Sequence, residues 1–242
     1  MTEPREIEVE LGVPIPGTLL PRTDWTQTAL KKLPSPAPLD WHELFGNGAP
    51  VVLDLGCGNG RFTISSAVRR PHLNHVGIDV LPVVIRYATR RGNQRGLRNV
   101  RFAVAGAHEF LEQYVGPQSV SEIHVYHPQP YRDATRKHLR LLTPDFFAQA
   151  RAALVSAGCL YLQTDNPAYW KYVLSVAPAF FDFRVLDGPW PDDPDGRTRR
   201  EIIARQKGLK IFRGFGPRRE NLSAADCVGL LARLPRPTFE VR

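Results

Sequence analysis

The chain of 242 residues is long enough for one full α/β domain with additional segments, and its 43% of hydrophobic side chains excludes a disordered chain. Lysine and arginine outnumber aspartate and glutamate by 32 to 24, and the resulting net charge of +8 favours a polyanionic partner, either nucleic acid or an anionic membrane surface. Because few of the basic residues are lysines, a proteome rich in arginine explains the same charge without any partner.

The first segment, residues 1–45, is predicted to be an irregular N-terminal arm that lies along the domain or along a partner. Prolines interrupt any regular element in it, at Pro14, Pro16, Pro21, Pro34, Pro36 and Pro38.

From residue 46 the pattern changes to alternating strands and helices, which predict one domain that ends near residue 215. Strands are predicted at 51–55, 75–79, 100–104, 121–126, 159–163, 181–185 and 209–212. Helices are predicted at 61–70, 82–95, 108–114, 143–155 and 167–176, with a loop at 187–200 and a polar tail at 216–242. This order predicts an α/β fold with a doubly wound, mostly parallel, Rossmann-like sheet.

The cysteines and the hydropathy pattern favour a cytoplasmic protein. Cys57, Cys159 and Cys227 are far apart and form neither a CxxC pair nor a Cys/His cluster, so we expect no metal site and no disulfide framework. The acid-rich first ten residues lack the apolar segment of a signal peptide, and no run of about 18 apolar residues predicts a membrane span.

A glycine-rich turn joins the first strand of the domain to its first helix. Residues 54–60, D-L-G-C-G-N-G, have the spacing GxGxG, which departs from the GxGxxG of pyrophosphate-binding loops. The second strand ends in Asp79, about 20 residues after Gly60, where a carboxylate binds a ribose diol. A ligand with a ribose and without a pyrophosphate is therefore predicted, which indicates S-adenosylmethionine (SAM).

This combination resembles the cofactor site of class I SAM-dependent methyltransferases. The resemblance implies that Asp54 lies near the amino-acid part of the cofactor and that Asp79 binds its ribose hydroxyls. The glycine loop then passes beneath the cofactor, and the residues after the third strand lie near its adenine. The further cofactor contacts implied in this way are Gly56, Gly58, Gly60, Gly106, Ala107 and Gln129. A glycine turn kept only for packing is the alternative.

An ordered set of motifs after the fourth strand resembles the bacterial tRNA (guanine-N7)-methyltransferase family, over about residues 48–215. That family has P-D-P-W, a basic run, a leucine-rich stretch, T-D and T-x-(F/Y)-E in this order. The counterparts here are residues 128–131, 132–140, 141–146, 164–165 and 198–201. The resemblance implies transfer of the methyl group of SAM to guanine N7 of tRNA, which needs no general base because N7 carries a free lone pair.

Five positions depart from the family pattern. Gln129 replaces the aspartate of P-D-P-W that is often assigned an active-site role, and Tyr131 replaces its tryptophan. Asp133 stands where the family has the first lysine of its basic run. Gly106 replaces an acid near the adenine, and Arg200 replaces the aromatic residue of T-x-(F/Y)-E. The departures affect the substrate loop more than the cofactor loop.

The predicted catalytic side chains act by positioning the base. Gln129 is predicted to hold the guanine edge or the methionine amino group, and Asp165 to accept from guanine N1–H and the N2 amino group. The other predicted substrate contacts are Tyr131, Arg132, Asp133, Arg136, Thr198, Arg199, Arg200 and Glu201. As alternatives, Asp165 caps the helix that follows it, and Thr198 with Glu201 forms a capping box.

The basic residues are predicted to form two parts of a tRNA-binding surface. One part comprises Arg132, Arg136, Lys137 and Arg140. The other comprises Arg197, Arg199, Arg200, Arg205, Lys207, Lys210 and Arg213. A third set on the second helix is expected to be an ordinary solvated face: Arg86, Arg90, Arg91 and Arg95.

Two other functions remain open at this point. One is methylation of an exocyclic amine, for which a (D/N)PPY motif is typical, whereas this chain has H-P-Q-P-Y at residues 127–131. The other is a degenerate SAM fold that binds RNA without catalysis, because Gln129 and Gly106 lack the acids of the family. The sequence leaves the oligomeric state open between monomer and homodimer.

Overall fold

The computed structural model describes residues 7–33 and 37–240, which contain ten strands and eight α-helices. The strands are β1 Val9–Glu10, β2 Val13–Pro14, β3 Ala29–Leu30, β4 Val51–Leu55, β5 Asn74–Asp79, β6 Val100–Val104, β7 Val120–Tyr126, β8 Leu154–Thr164, β9 Arg184–Leu186 and β10 Phe212–Pro217. The helices are α1 Trp41–Phe45, α2 Arg61–Arg69, α3 Pro82–Gln94, α4 Ala107–Gln113, α5 Pro144–Ala153, α6 Pro167–Val176, α7 Arg199–Gln206 and α8 Ala224–Arg233.

Eight of the strands form one sheet in the order β3-β6-β5-β4-β7-β8-β10-β9. The strands from β3 to β8 are parallel, and β10 runs antiparallel to both β8 and β9. The predicted doubly wound sheet is therefore confirmed. The strand order reverses between β4 and β7, and in such sheets ligands bind outside the carboxyl ends of the strands at this switch point.

Burial explains why β4 forms at the centre of the sheet. Its sequence, V-V-L-D-L, is buried at every position, as expected for a parallel strand covered on both faces. Gly60 is the N-cap residue before α2 and has a backbone φ of +78°, and a Cβ atom there would lie 2.7 Å from Cβ of Ala88 in α3. A glycine at this position lets α2 and α3 approach each other closely.

The predicted elements between residues 51 and 176 match the observed ones, but those after residue 180 match less well. The strand predicted at 209–212 begins at Phe212 and runs to Pro217. Helix α7 was missed because its sequence, R-R-E-I-I-A-R-Q, shows almost no apolar face. Helix α8 lies within the predicted tail and has only Leu230 buried, so its apolar signal was weak as well.

The N-terminal segment is more ordered than predicted. Ala29 and Leu30 form β3, the edge strand that pairs in parallel with β6, and Ile15 is buried in the core. Residues 1–6 and 34–36 of the predicted arm lie outside the described residues, and the boundary at residue 45 stays a prediction. Among the described residues, no helix combines the length and apolarity needed to cross a membrane.

The prediction of a solvated arginine face on α3 is wrong for two of its four members. Arg91 pairs with Glu8 at 2.8 Å and with Glu10 at 3.1 Å, and Arg95 pairs with Glu8 at 3.0 Å. Arg86 and Arg90 are exposed. The sequence did not reveal the pairs because about 80 residues separate their members along the chain.

Candidate functional site

Two adjoining cavities open at the carboxyl ends of the central strands. The β5 cavity, of about 550 Å³, is bounded by Asp79 at the end of β5 and by Gly106 and Ala107 before and at the start of α4. The α7 cavity, of about 670 Å³, is bounded by the glycine loop, α3 and the first turn of α7. The two cavities share Gly56, Tyr126 and His127 as lining residues. A ligand that extends across this junction therefore contacts residues of both cavities.

The glycine loop forms the floor of the junction. Gly56 and Gly58 have positive φ angles, and a Cβ atom on either would meet no atom within 4 Å, so both face open space. Asp79 fixes the loop, because its Oδ2 accepts from the Gly58 N–H at 3.1 Å and its Oδ1 from the Leu81 N–H at 2.9 Å. Each carboxylate oxygen keeps a second lone pair for a ligand hydroxyl. Gly60 packs on Ala88 instead and lines neither cavity.

Asp54 is buried beneath the α7 cavity and lines it. Its side chain is only 2% exposed, and its Oδ2 accepts from the Thr63 hydroxyl at 2.6 Å. Burial raises the pKa of Asp54 to about 7, against the opposing effect of the Thr63 hydrogen bond. A carboxyl group in this state gains from a cation that enters the cavity, because the cation compensates for the lost hydration of the carboxylate.

The loop after β7 forms one wall of the β5 cavity through Pro128, Gln129 and Tyr131. Gln129 is exposed and lines the cavity, where its neutral side chain contributes no negative charge. The loop turns sharply, since His127 has a φ of +52° and Tyr131 a φ of +39°. The guanidinium group of Arg136 lies 5.1 Å from the centre of the Tyr131 ring, which makes these two predicted substrate residues neighbours.

Arg140 holds this loop from behind and is not part of the basic surface, contrary to prediction. Its side chain is 1% exposed and donates to the carbonyl oxygens of Pro130 at 2.7 Å and Tyr131 at 3.0 Å. It also donates to the carbonyl oxygens of Pro237 at 2.6 Å and Phe239 at 2.9 Å. All of these partners are backbone groups, so Arg140 has a structural role.

Asp133 and Arg132 are exposed and line neither cavity. The Asp133 carboxylate accepts from the backbone N–H and the hydroxyl of Thr135, at 2.9 and 2.7 Å, and so caps the 3₁₀ turn at 134–139. Asp133 therefore has a local capping role, and its contact with substrate stays a prediction.

Asp165 lies behind two lining residues of the α7 cavity, His127 and Arg200, and does not itself line either cavity. Its Oδ1 is 3.1 Å from His127 Nδ1, and its Oδ2 accepts from Arg200 Nη2 at 2.6 Å. The hydrogen bond from His127 is the main cause that holds the pKa of Asp165 at about 2. The alternative that Asp165 caps α6 is wrong, because Asn166 does so by accepting from the Tyr169 N–H at 2.8 Å.

A buried polar network behind Asp165 was not found from the sequence. Gln163 lies at its centre, with its Oε1 accepting from Trp190 Nε1 at 2.7 Å and from Arg213 Nε at 2.9 Å. The Gln163 amide nitrogen lies 2.9 Å from His127 Nε2 and 3.0 Å from a carboxylate oxygen of Glu201. The antiparallel pairing of β8 with β10 places Arg213 beside Gln163, and the parallel pairing of β7 with β8 places His127 next to it.

The predictions for Thr198 and Glu201 have different outcomes. Thr198 lines the α7 cavity and caps α7, because its hydroxyl accepts from the Glu201 N–H at 3.1 Å. Glu201 is 0% exposed and lines neither cavity, and it accepts from Arg213 Nη2 at 2.5 Å and from the Arg197 N–H at 2.9 Å. The prediction that Glu201 contacts substrate is therefore wrong, since its carboxylate is fully used inside the protein.

The second predicted basic cluster contains both buried and exposed arginines. Arg197 is buried, donates to Tyr126 Oη and to Asp192, and lies 4.2 Å from the centre of the Trp190 ring. Arg213 is also buried. Arg199 and Arg200 are each 53% exposed and line the α7 cavity. The sequence missed other residues of this cavity, which include Glu10, Arg61, Tyr87 and Arg91.

The chain is similar to known methyltransferases. The model of a family described as putative methyltransferase matches residues 48–213. A tRNA (guanine-N(7)-)-methyltransferase of Alkalilimnicola ehrlichii is 29% identical over 200 residues, which are 81% of this chain and 84% of that protein. One of Aliivibrio fischeri is 29% identical over 69% of this chain and 71% of that protein. Among solved structures, the 16S rRNA methyltransferase KamB superposes on this chain with a TM-score of 0.59 and 16% sequence identity. The superposition covers 79% of this chain and 98% of the KamB chain, which shows that the two share a fold.

Proposed function

The chain belongs to the family of putative methyltransferases, and on that premise we propose that it transfers the methyl group of SAM to N7 of a guanine in tRNA. The observation that carries this proposal is the junction of the two cavities at Gly56, Tyr126 and His127. Asp79, Gly106 and Ala107 would hold the adenosine part of SAM in the β5 cavity, and its sulfonium group would then lie near the junction. The target base then approaches through the α7 cavity, and the relatives named above act on guanine N7 of tRNA.

The residues present fit SAM. Asp79 offers free lone pairs to the ribose hydroxyls, and the open space over Gly56 and Gly58 admits a ligand against the backbone. Gly106 and Ala107 take the adenine end of the β5 cavity. The buried Asp54 carboxyl favours the α-ammonium group of the methionine part. When bound, SAM supplies an electrophilic methyl group.

The remaining chemistry is a matter of position. The lone pair of guanine N7 forms a bond to the methyl carbon while the carbon–sulfur bond breaks and its electrons stay on sulfur. No proton moves, so the neutral Gln129 suffices where the family has an aspartate. Asp165 accepts from guanine N1–H and N2–H through the second lone pair of each oxygen. Alignment of the two reactants supplies most of the acceleration.

The exposed arginines support an RNA substrate. Arg199 and Arg200 border the α7 cavity, and Arg132 and Arg136 extend the positive surface past Tyr131. Contacts from these side chains to phosphates make the affinity for tRNA fall steeply with salt. The free thiols at Cys57, Cys159 and Cys227 fit a reducing cytoplasm, where tRNA is modified. We take residues 46–215 as the catalytic domain.

The direct test is a methyl-transfer assay with labelled SAM and an unmodified tRNA transcript, followed by nucleoside mass spectrometry. We expect 7-methylguanosine as the product. The Asp165→Asn variant is expected to lower kcat/KM for tRNA about 10-fold to 100-fold, because an amide cannot accept two hydrogen bonds from guanine at once.

The exposed Asp187 supplies the control, since Asp187→Asn removes one charge outside both cavities. A methyl group found on an exocyclic amine, and not on guanine N7, would show that the protein carries out the competing reaction. SAM binding with intact tRNA binding and no methylated nucleoside would instead establish a degenerate binding protein.

The Asp79→Ala variant is expected to bind SAM about 10-fold to 100-fold more weakly, because charge-assisted hydrogen bonds to the ribose are lost. Isothermal titration calorimetry measures the change. The Asp24→Ala variant is a matched control, since Asp24 lies in the 3₁₀ turn at 22–24 and lines neither cavity. Equal SAM affinity in wild type and Asp79→Ala would rule out the ribose contact.

A further inference from the structure

We infer that His127 is a positioning residue, held as a neutral imidazole with its proton on Nδ1 so that it fixes the orientation of Asp165 toward the guanine. This inference rests on the proposed function, because the proposed function makes Asp165 the residue that binds the guanine base. The supporting geometry lies entirely inside the protein, in the chain of contacts Gln163–His127–Asp165.

The orientation of the Gln163 amide is settled by two neighbours that can only donate. Trp190 Nε1–H and Arg213 Nε–H both point at the same atom of Gln163, at 2.7 and 2.9 Å, so that atom must be the carbonyl oxygen. The other end of the amide is then the NH₂ group. One of its hydrogens is taken by the buried carboxylate of Glu201 at 3.0 Å.

The other hydrogen of the Gln163 amide meets His127 Nε2 at 2.9 Å. An NH₂ group has no lone pair available to accept, so Nε2 must be the acceptor and carries no proton. The imidazole proton therefore resides on Nδ1, where it is donated to Asp165 Oδ1 at 3.1 Å. The tautomer follows from the hydrogen-bond partners alone.

His127 is also fixed in place. Its side chain is 4% exposed, and its backbone N–H donates to the Gln163 carbonyl at 2.7 Å. A rotation of the ring by half a turn would lose both side-chain hydrogen bonds. The second partner of Asp165, Arg200, is by contrast 53% exposed on the first turn of α7. His127 is therefore the rigid support of the carboxylate, and Arg200 is the partner that gives way when a base enters.

The consequence concerns base selection. With Oδ1 held by His127, the plane of the Asp165 carboxylate is set, and its free lone pairs suit adjacent N1–H and N2–H donors. Adenine presents an acceptor at N1 and loses this pairing. A carboxylate without its support would still carry charge but would accept guanine in fewer productive orientations.

The first experiment measures the tautomer in the intact wild-type protein by long-range ¹H–¹⁵N correlation of its histidines, with His127 assigned by comparison with His127→Asn. We expect a protonated Nδ1 and an unprotonated Nε2. A proton on Nε2 would overturn the inference, whatever the enzyme's substrate proves to be.

The second experiment compares tRNA carrying guanosine with tRNA carrying inosine, which lacks the N2 amino group, at the methylated position. Wild type is expected to prefer guanosine about 5-fold to 10-fold in kcat/KM, the worth of about one hydrogen bond. His127→Ala should lower kcat/KM for guanosine about 10-fold and reduce the preference for guanosine over inosine to about 2-fold.

His127→Asn should restore most of both values, because its amide places a donor near the Nδ1 position and asparagine tolerates a positive φ. Circular dichroism checks that both variants fold. An unchanged guanosine preference in a folded His127→Ala variant would overturn the inference. Absence of 7-methylguanosine with the wild type would instead refute the proposed function, and the tautomer measurement would stand on its own.

Discussion

The Asp54→Asn variant is expected to be more stable than wild type in its free form and to bind SAM more weakly. Burial makes the ionised Asp54 carboxylate costly, although the Thr63 hydroxyl donates to it at 2.6 Å. Removal of the charge is expected to raise the free energy of unfolding at pH 8 by about 1–2 kcal/mol, or Tm by about 2–8 °C. Loss of the contact to the methionine ammonium is expected to weaken SAM binding about 10-fold to 100-fold.

The same carboxyl group predicts two pH dependences. Its pKa in the folded protein, about 7, exceeds the ordinary value of 3.8, so the folded state holds the proton more tightly between these pH values. The contribution of Asp54 to stability therefore falls as pH rises from about 4 to about 7. SAM affinity should change in the opposite sense, rising with pH up to about 7, because the ammonium group binds the ionised form.

Calorimetric titration from pH 6 to pH 8 and thermal melts over the same range measure both effects. The Asp187→Asn variant is the control for a lost surface carboxylate, and it should keep the wild-type pH dependence. A SAM affinity that is as pH-dependent in Asp54→Asn as in wild type would contradict the assignment of Asp54 to the cofactor's ammonium group.

The Glu201→Ala variant is expected to lose about 3–5 kcal/mol of stability, because removing one member of a buried ion pair leaves the other uncompensated. The guanidinium group of Arg213, which lies 2.5 Å from Glu201, would remain buried without its carboxylate. The amide of Gln163 and the backbone N–H of Arg197 would lose their acceptor too. A Tm decrease of roughly 10 °C is expected in thermal melts.

Glu43 gives a matched control, because Glu43→Ala removes an exposed carboxylate from α1 and should change Tm by no more than a few degrees. The stability measurement also separates two roles for Glu201. A variant with the wild-type Tm and a raised KM for tRNA would show that Glu201 is a substrate contact after all, against its burial.

The part of the site that the sequence could predict is the part built from local pattern. The apolar β4, the glycine turn and Asp79 at the end of β5 follow one another within 30 residues, and each is recognisable from its neighbours alone. The helix start at residue 167 was predicted as well, although its cap is Asn166 rather than Asp165. A shift of one residue was enough to free Asp165 for another role.

Whether each charged side chain is buried or exposed could not be predicted from the sequence. Arg140, Arg197 and Arg213 stand in basic runs that are typical of an RNA-binding surface, yet all three are buried. Each of the three has its partners inside the protein, whereas Arg199 and Arg200 pair with Glu10 and Asp165 and still remain 53% exposed. For Arg213 the partner is Glu201, and for Arg140 it is the backbone of the C-terminal segment.

The contacts of Arg140 have a consequence for how the protein matures during synthesis. Its guanidinium group joins the loop at 130–131 to the carbonyl oxygens of Pro237 and Phe239, and it stacks 4.0 Å from the centre of the Phe239 ring. A ribosome makes residue 140 long before residue 239. The nascent chain therefore has β4 and β5, with the glycine loop and Asp79, before the loop at 130–131 can be joined to residues 237–239 through Arg140.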